Sequence, residues 1–213
     1  MTSSTTTSRP SMLSFLRDGA NLCTFAGLAC GMLMMYLAFS GQLALAAAAG
    51  LWSGVFDSLD GVIARRSPRR SEALREFGGQ LDSLVDAVCG GVAVAVLVLA
   101  AGDFHPAFLP VALVTIGAPV LRLAYFNVYG MQADYFIGAP IIYNLLVAAT
   151  VTLFSPLLSD QGFAVTLAIA AILVATANVL PFRVPKFKGA GLRALVFVLV
   201  ILSTVLIGIS LNE

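Results

Sequence analysis

Asp57, Asp60, Asp82 and Asp86 stand inside two otherwise apolar stretches of the chain. An ionised Asp near a bilayer centre costs roughly 2.5–3.5 kcal/mol on insertion scales, so four acids in two apolar stretches imply a shared purpose. On a helix Asp57, Asp60, Gly61 and Ala64 recur at i, i+3, i+4 and i+7, which puts both acids on one face with two small residues. Gly78, Asp82 and Asp86 recur at i, i+4 and i+8 and share a face in the same way. Carboxylates gathered in low dielectric cannot all stay ionised unless something compensates their charge, and a divalent cation does so. The donors are all hard oxygens, which favours Mg²⁺ or Mn²⁺ over Zn²⁺, and four acids suffice for two ions sharing bridging ligands.

The elements that must carry these acids read as membrane helices. Hydrophobic residues make up 59% and charged residues 11% of the 213, and mean hydropathy is +0.95. A soluble domain carries about 25% charged residues, so the composition excludes that class. Apolar spans recur at 21–39, 42–64, 77–101, 107–128, 138–156, 161–181 and 193–211. The expected fold is an all-α polytopic membrane bundle of six core transmembrane helices plus a seventh. Two antiparallel helices joined by a short loop would set the two acidic faces opposite each other. Asp57 lies about 12 Å of helix rise from Arg65 at that loop, so the cluster is expected one to two turns below the surface.

Basic residues sort to one side. Arg9 and Arg17 precede span one; Arg65, Arg66, Arg69, Arg70 and Arg75 join spans two and three; Arg122, Arg183, Lys186, Lys188 and Arg193 flank the later spans. The breaks at 40–42, 102–106 and 157–160 carry no Lys or Arg. By the positive-inside rule the N-terminus and the acidic pocket face the cytoplasm. The Arg66, Arg69, Arg70 run, Lys186 and Lys188 read as orientation signals and anionic-lipid contacts.

Residues 1–10 are Ser/Thr-rich and expected to be disordered, and they lack the pattern of a signal peptide, so the first span is expected to stay in the mature protein. The stretch from Pro10 to Ala20 suits a short interfacial helix, giving a cytoplasmic tail and juxtamembrane helix over 1–20 and one membrane domain over 21–213. Gly27 and Gly31 suit close helix packing within the bundle or, alternatively, a dimer face. Cys23, Cys30 and Cys89 read as small buried hydrophobes, and His105, alone in an outer loop beside Pro106, is a poor general base.

Two rival readings of the acids remain at this point. They could be salt-bridged to nearby arginines, or they could belong to a cation- or proton-coupled transporter. The second predicts acids continuing through the outer half of later spans and an internal repeat, and neither is visible.

The segments DSLDGVIAR (57–65) and GGQLDSLVD (78–86) resemble the signature of the CDP-alcohol phosphatidyltransferases, D-x-x-D-G-x-x-A-R followed by G-x-x-x-D-x-x-x-D. Asp57, Asp60, Gly61, Ala64, Arg65, Gly78, Asp82 and Asp86 fill all of its positions. The resemblance extends to the phosphatidylserine synthase branch through Asn21-x-x-Thr24, Glu76-Phe77-Gly78, Leu121-Arg122-Leu123-Ala124, Phe126-Asn127, the run Tyr135 to Pro140, and Pro185-Lys186-Phe187-Lys188. It covers the chain to about residue 188 and leaves span seven outside. The Arg65 to Gly78 segment is longer than the family usually has, Tyr125 stands where Arg is common, and Cys89-Gly90 stand where Ser-Phe is usual.

The resemblance implies a transferase of phospholipid biosynthesis. Its donor would be CDP-diacylglycerol, its acceptor a small alcohol, foremost L-serine, and its product besides the phospholipid CMP. Inositol phosphate, glycerol phosphate and choline are the alternative acceptors. Asp57, Asp60 and Asp82 would hold one Mg²⁺ or Mn²⁺ and Asp57, Asp82 and Asp86 a second, with Asp86 the general base. Thr24, Asp57, Gly61, Ala64, Arg65 and Gly78 would contact the CDP-lipid, although the Thr24 hydroxyl could equally bond back to its own helix. Arg122, Tyr125 and Asn127, supplemented by Tyr143, would receive the acceptor, Arg122 alternatively pairing with a signature Asp or a headgroup. A homodimer is expected from the family.

Overall fold

The computed structural model describes residues 11–67, 70–130 and 134–211, and helix dominates them. Residues 1–10, with Arg9, lie outside the described residues, as does Arg69. A 3-10 helix, Met12–Arg17, leads into α1 (Gly19–Phe39), whose first turn Asp18 caps by accepting a hydrogen bond from the Asn21 amide. Gly41, at φ 76°, turns the chain into α2 (Leu43–Arg66). Ser71 caps α3 (Glu72–Asp86), which runs through a π-helical segment, Ala87–Ala93, into α4 (Val94–Ala101) as one continuous helix.

After a turn at His105, whose Nδ1 caps a short 3-10 helix, α5 (Leu109–Tyr129) returns. It is followed by β1 (Tyr135–Ile137), α6 (Ile142–Leu153), α7 (Asp160–Val179), β2 (Arg183–Pro185) and α8 (Ala190–Ser210). His105 is exposed at the end of the bundle remote from the acids, as its reading as a non-catalytic residue requires.

Small residues decide where helices approach. Ala44 and Ala46 to Ala49 on α2 are all buried, packed with Leu51 and Val55 against Val94, Leu97 and Val98 of α4, Leu145 of α6, Leu167 of α7 and Leu199 and Leu206 of α8. Without a hydrophobic drive between helices in lipid, such close approach and the dispersion it gains hold the bundle together. A Cβ at Gly27 would touch Phe56 and Ser53 of α2, and one at Gly31 would strike Cys89. Both glycines are therefore used inside the chain rather than on a dimer face. Of the three cysteines expected to be buried, Cys89 is, whereas Cys23 and Cys30 are half-buried.

Three features differ from the sequence reading. Five described helices are long and apolar enough to cross a membrane: Gly19–Phe39, Glu72–Ala101, Pro106–Tyr129, Asp160–Val179 and Ala190–Ser210. The remaining two expected spans are α2, whose 24 residues include the first acid pair, and α6, whose 12 residues rise about 18 Å. Span five, expected over 138–156, does not start as helix: residues 138–141 are a non-helical lead into α6, and β1 just before them pairs antiparallel with β2 in a two-stranded ribbon. The juxtamembrane helix is a single 3-10 stretch because Asp18, capping α1, stops it after six residues. Helix α8 lies along α2, so the seventh span braces the acid-bearing helix.

Candidate active site

The C-terminal half of α2 and the N-terminal helix α3 bring the two acid pairs together with α1 behind them. Oxygens of Asp57, Asp82 and Asp86 lie within 4.8 Å of one another. Thr24, Gly27, Ser53, Asp57, Asp60, Asp82, Val85 and Asp86 line one small pocket. Asp60 stands slightly apart from the other three: its Oδ2 accepts a 2.5 Å hydrogen bond from the Thr24 hydroxyl. The same hydroxyl lies 3.1 Å from the Ala20 carbonyl of its own helix. One proton cannot serve both fully, and the shorter, charge-assisted contact to Asp60 takes precedence.

Among the described residues the ion pairs are Asp18 with Arg70 and Asp134 with Lys188. Among the described residues none of the four pocket acids has an arginine or lysine nitrogen within salt-bridge distance. Converging hard-oxygen donors fit a divalent cation, and the pocket lining holds no Cys or His to supply tetrahedral ligands.

The other expected site residues distribute unevenly. Arg65 is exposed and its guanidinium lies over Gly61, with Nη1 3.2 Å from where a Cβ would stand; Ala64 is half-buried beside it. Gly78 does not line the pocket. A Cβ there would stand 2.8 Å from Asn21 Oδ1 and 2.9 Å from Arg70 Nη2, so the glycine lets α3 approach the start of α1.

Arg70, read from sequence as an orientation signal, is instead structural. Its Nη2 lies 2.8 Å from Asp18 Oδ1 and donates to Asn21 Oδ1 and the Leu74 carbonyl. An arginine in a loop meets an acid at a helix cap, and pairing there satisfies both groups that the bundle end buries.

Arg122 on α5 is 9% exposed. Its guanidinium carbon lies 4.6 Å from the Phe126 ring centre and 5.6 Å from that of Phe136, while Nε and Nη2 have no hydrogen-bond partner among the described residues. Lys186 approaches the same Phe136 ring at 4.8 Å, and partial burial together with neighbouring Lys188 pulls its pKa below the ordinary lysine value. Lys188 donates to Asp134 at 2.9 Å and holds that carboxyl below its usual range. Asn127 Oδ1 accepts from Ser83, next to Asp82. Tyr125 is 48% exposed and packs edge-on against Phe126 and at a tilt against Tyr129, and neither Tyr125 nor Tyr143 lines the pocket.

Sequence reasoning passed over Ser53, Phe136 and the buried amides Asn144 and Asn178. The two asparagines had a signal, since a polar side chain inside an apolar span needs a partner. Phe136 had none, because its place depends on the pairing of β1 with β2.

A polytopic helical bundle with a cluster of acids between adjacent spans, flanked by a small-residue face and a buried arginine, is the build of an integral membrane protein handling phosphate chemistry. The sequence profile of the CDP-alcohol phosphatidyltransferases matches residues 18–209, and the chain belongs to that family. The match includes α8, which the sequence reading had left outside. The family is generally metal-dependent, and the Asp cluster is able to bind metal.

Among curated relatives, the archaetidylserine synthase of Methanothermobacter thermautotrophicus is 34% identical over 164 residues, 76% of this chain and 66% of that protein. A CDP-diacylglycerol–serine O-phosphatidyltransferase of Helicobacter pylori is 30% identical over 88% of this chain and 81% of its own length. One from Methanocaldococcus jannaschii is 32% identical over 63% of this chain and 61% of its own. The matched region thus spans just under two thirds of the first and third of these relatives.

Proposed function

We propose that the protein transfers the phosphatidyl group of CDP-diacylglycerol to the hydroxyl of L-serine and releases CMP. The observation that carries this reading is the meeting of Asp57, Asp82 and Asp86 within 4.8 Å in a chain that also buries an arginine with two donors unpartnered among the described residues. Asp57, Asp60 and Asp82 would hold one divalent ion, Mg²⁺ or Mn²⁺, and Asp57, Asp82 and Asp86 a second. When bound, the ions supply neutralisation of the diphosphate and of the charge developing on the departing CMP oxygen.

This chain's residues do the rest. Asp86 takes the proton of the acceptor hydroxyl as that oxygen attacks the lipid-side phosphorus. Thr24 holds Asp60 in place by their hydrogen bond. Gly61 and Ala64 leave room for the nucleotide, and exposed Arg65 is free to swing from Gly61 onto the diphosphate.

Serine is favoured as acceptor by the form of the Arg122 donors. Nε and Nη2 are the parallel pair on one edge of a guanidinium, the fork that grips a planar carboxylate in two hydrogen bonds. Phe126 and Phe136 hold that fork in place, and Lys186 adds a second cation at Phe136. Asn127 would contribute through Ser83 beside Asp82. Tyr125 enters only through its packing on Phe126.

The relatives named above support the same acceptor, since their names refer to serine or archaetidylserine. On the charge distribution the pocket faces the cytoplasm with the N-terminus, and on the family resemblance two copies pair as a homodimer. Light scattering of the detergent-solubilised protein checks the last point.

The deciding experiment offers the purified protein CDP-diacylglycerol with serine, inositol phosphate, glycerol phosphate or choline, in Mg²⁺ or Mn²⁺, and follows CMP. Release with serine alone is expected. Release with another acceptor and not with serine overturns the acceptor, and ion flux in liposomes without any CMP release overturns the transferase.

A further inference from the structure

Asp86 is the last α-helical residue before the π-helical segment Ala87–Ala93. Beyond that segment Val94, Leu97 and Val98 are 0–1% exposed and locked in the core. The direction in which Asp86 points is therefore set relative to that anchor by how the seven intervening residues wind. Such i→i+5 turns are rare, and where they occur inside α-helices they are frequent at functional sites. One residue gained or lost through the register of this turn rotates the acid-bearing half by about 100° against the anchored half.

Two contacts, one from α6 and one from Ile141 just before it, hold the turn. Asn144, 1% exposed, donates from Nδ2 to the Gly90 carbonyl at 2.9 Å, 54 residues away in sequence. Ile141 lies against Gly90 so closely that a Cβ on residue 90 would overlap its side chain. The bare Cα of Gly90 is what admits Ile141. Ile141 is itself fixed from α7, because Asn178 Nδ2 donates to the Ala139 carbonyl at 3.0 Å and the Ala139 amide donates to Ala177 at 2.8 Å. On the other side Cys89 Sγ lies 3.6 Å from the Gly27 carbonyl of α1, so the turn is gripped from both flanks.

We infer that Asn144 is a positioning residue for the metal-binding acids: its amide holds the Gly90 carbonyl, keeps residues 87–93 in the π register and thereby aims Asp86 at Asp57 and Asp82. Asn144 touches neither substrate nor metal. It acts through the backbone of α3 and its continuation. The inference rests on the reading of the acid cluster as a metal site and not on the identity of the acceptor.

The test is Mn²⁺ binding to the purified full-length protein, read from the free-ion electron paramagnetic resonance signal, alongside CMP release. Asn144→Leu, which keeps the branched shape and heavy-atom count and removes the donor, is expected to weaken Mn²⁺ binding and lower kcat by about tenfold or more, as loss of a ligand-orienting partner does, with the serine KM little changed. Gly90→Ala should do the same by pushing Ile141, and Gly90→Ala combined with Ile141→Ala should recover Mn²⁺ binding by reopening that space. If Asn144→Leu and Gly90→Ala lower only yield or melting temperature while Mn²⁺ binding stays within twofold of the parent, Asn144 merely packs and the inference fails. An unmodified protein that binds Mn²⁺ but releases no CMP with serine counts against the acceptor reading alone, and the Mn²⁺ comparison among variants still decides this one.

Discussion

Thr24 on α1 donates a 2.5 Å hydrogen bond to Asp60 Oδ2 on α2, tying the first span directly to the acid cluster. Asp60 is buried, and its carboxylate gains no arginine partner among the described residues. A hydrogen bond to a charged group contributes about 1.5–3 kcal/mol, which corresponds to roughly ten- to hundredfold in an equilibrium. Thr24→Val, isosteric but without a donor, is expected to cut kcat at fixed Mn²⁺ by at least tenfold and to raise the Mn²⁺ concentration needed for half-maximal rate. Thr24→Ser keeps the hydroxyl and should stay within a few-fold of the parent. Equal loss in both variants would point to the methyl group's packing instead.

Arg122 offers a sharper test of acceptor recognition. Replacing it with Lys keeps the charge and removes the parallel donor pair, so serine should bind more weakly while CDP-diacylglycerol binds as before. Expected is a serine KM raised about ten- to hundredfold with an unchanged lipid KM, since a charge-assisted bidentate contact is worth about 1.5–3 kcal/mol. Steady-state kinetics with each substrate varied in turn reads the split. A rise confined to the lipid KM would assign Arg122 to the donor.

Metal removal should separate the acids. EDTA is expected to abolish CMP release, with Mg²⁺ or Mn²⁺ restoring it. Asp57→Asn, Asp82→Asn and Asp86→Asn each remove a member of the 4.8 Å triad, and each should leave Mn²⁺ stoichiometry reduced in a direct binding titration. Asp60→Asn removes the acid that Thr24 already holds, and it should weaken binding while preserving more of it than the other three. Asp86→Asn should also stop turnover with CDP-diacylglycerol binding retained, and near-normal turnover in that variant would exclude Asp86 as the base.

The acid faces were legible because their signal is local: helical spacing within nine residues places Asp57 with Asp60, and Asp82 with Asp86, whatever the rest of the fold does. What sequence did not disclose depends on contacts between distant segments. The pairing of Tyr135–Ile137 with Arg183–Pro185 brings Phe136 under Arg122 and Lys186, and no periodicity announces a three-residue strand. The π turn after Asp86 looks like continuous apolar helix in sequence, since the register of backbone hydrogen bonds leaves no mark on residue type except two glycines. Arg70 read as one of several loop cations because only the three-dimensional approach of α3 to α1 shows which of them meets an acid.

That approach gives the last prediction. Asp18 and Arg70 pair at 2.8 Å with side chains 11% and 9% exposed, and Asn21 shares the guanidinium while its own Nδ2 donates to the Phe15 carbonyl at 2.9 Å. Phe15 in turn stacks on Phe77 at 4.3 Å between ring centres. The 3-10 helix, the start of α1 and the first half of α3 thus share one junction, in which Asn21 is three residues from Thr24 and Phe77 five from Asp82 along their helices. Breaking a buried pair by removing one partner costs about 3–5 kcal/mol, because the other charge is left uncompensated. Asp18→Asn and Arg70→Met are each expected to lower the midpoint of thermal unfolding in detergent. The double variant, which leaves neither charge stranded, should be more stable than the sum of the two losses predicts. If the losses simply add, the two residues do not interact in the folded protein, and the longer Arg65 to Gly78 segment must be held at the bundle end by something other than this pair.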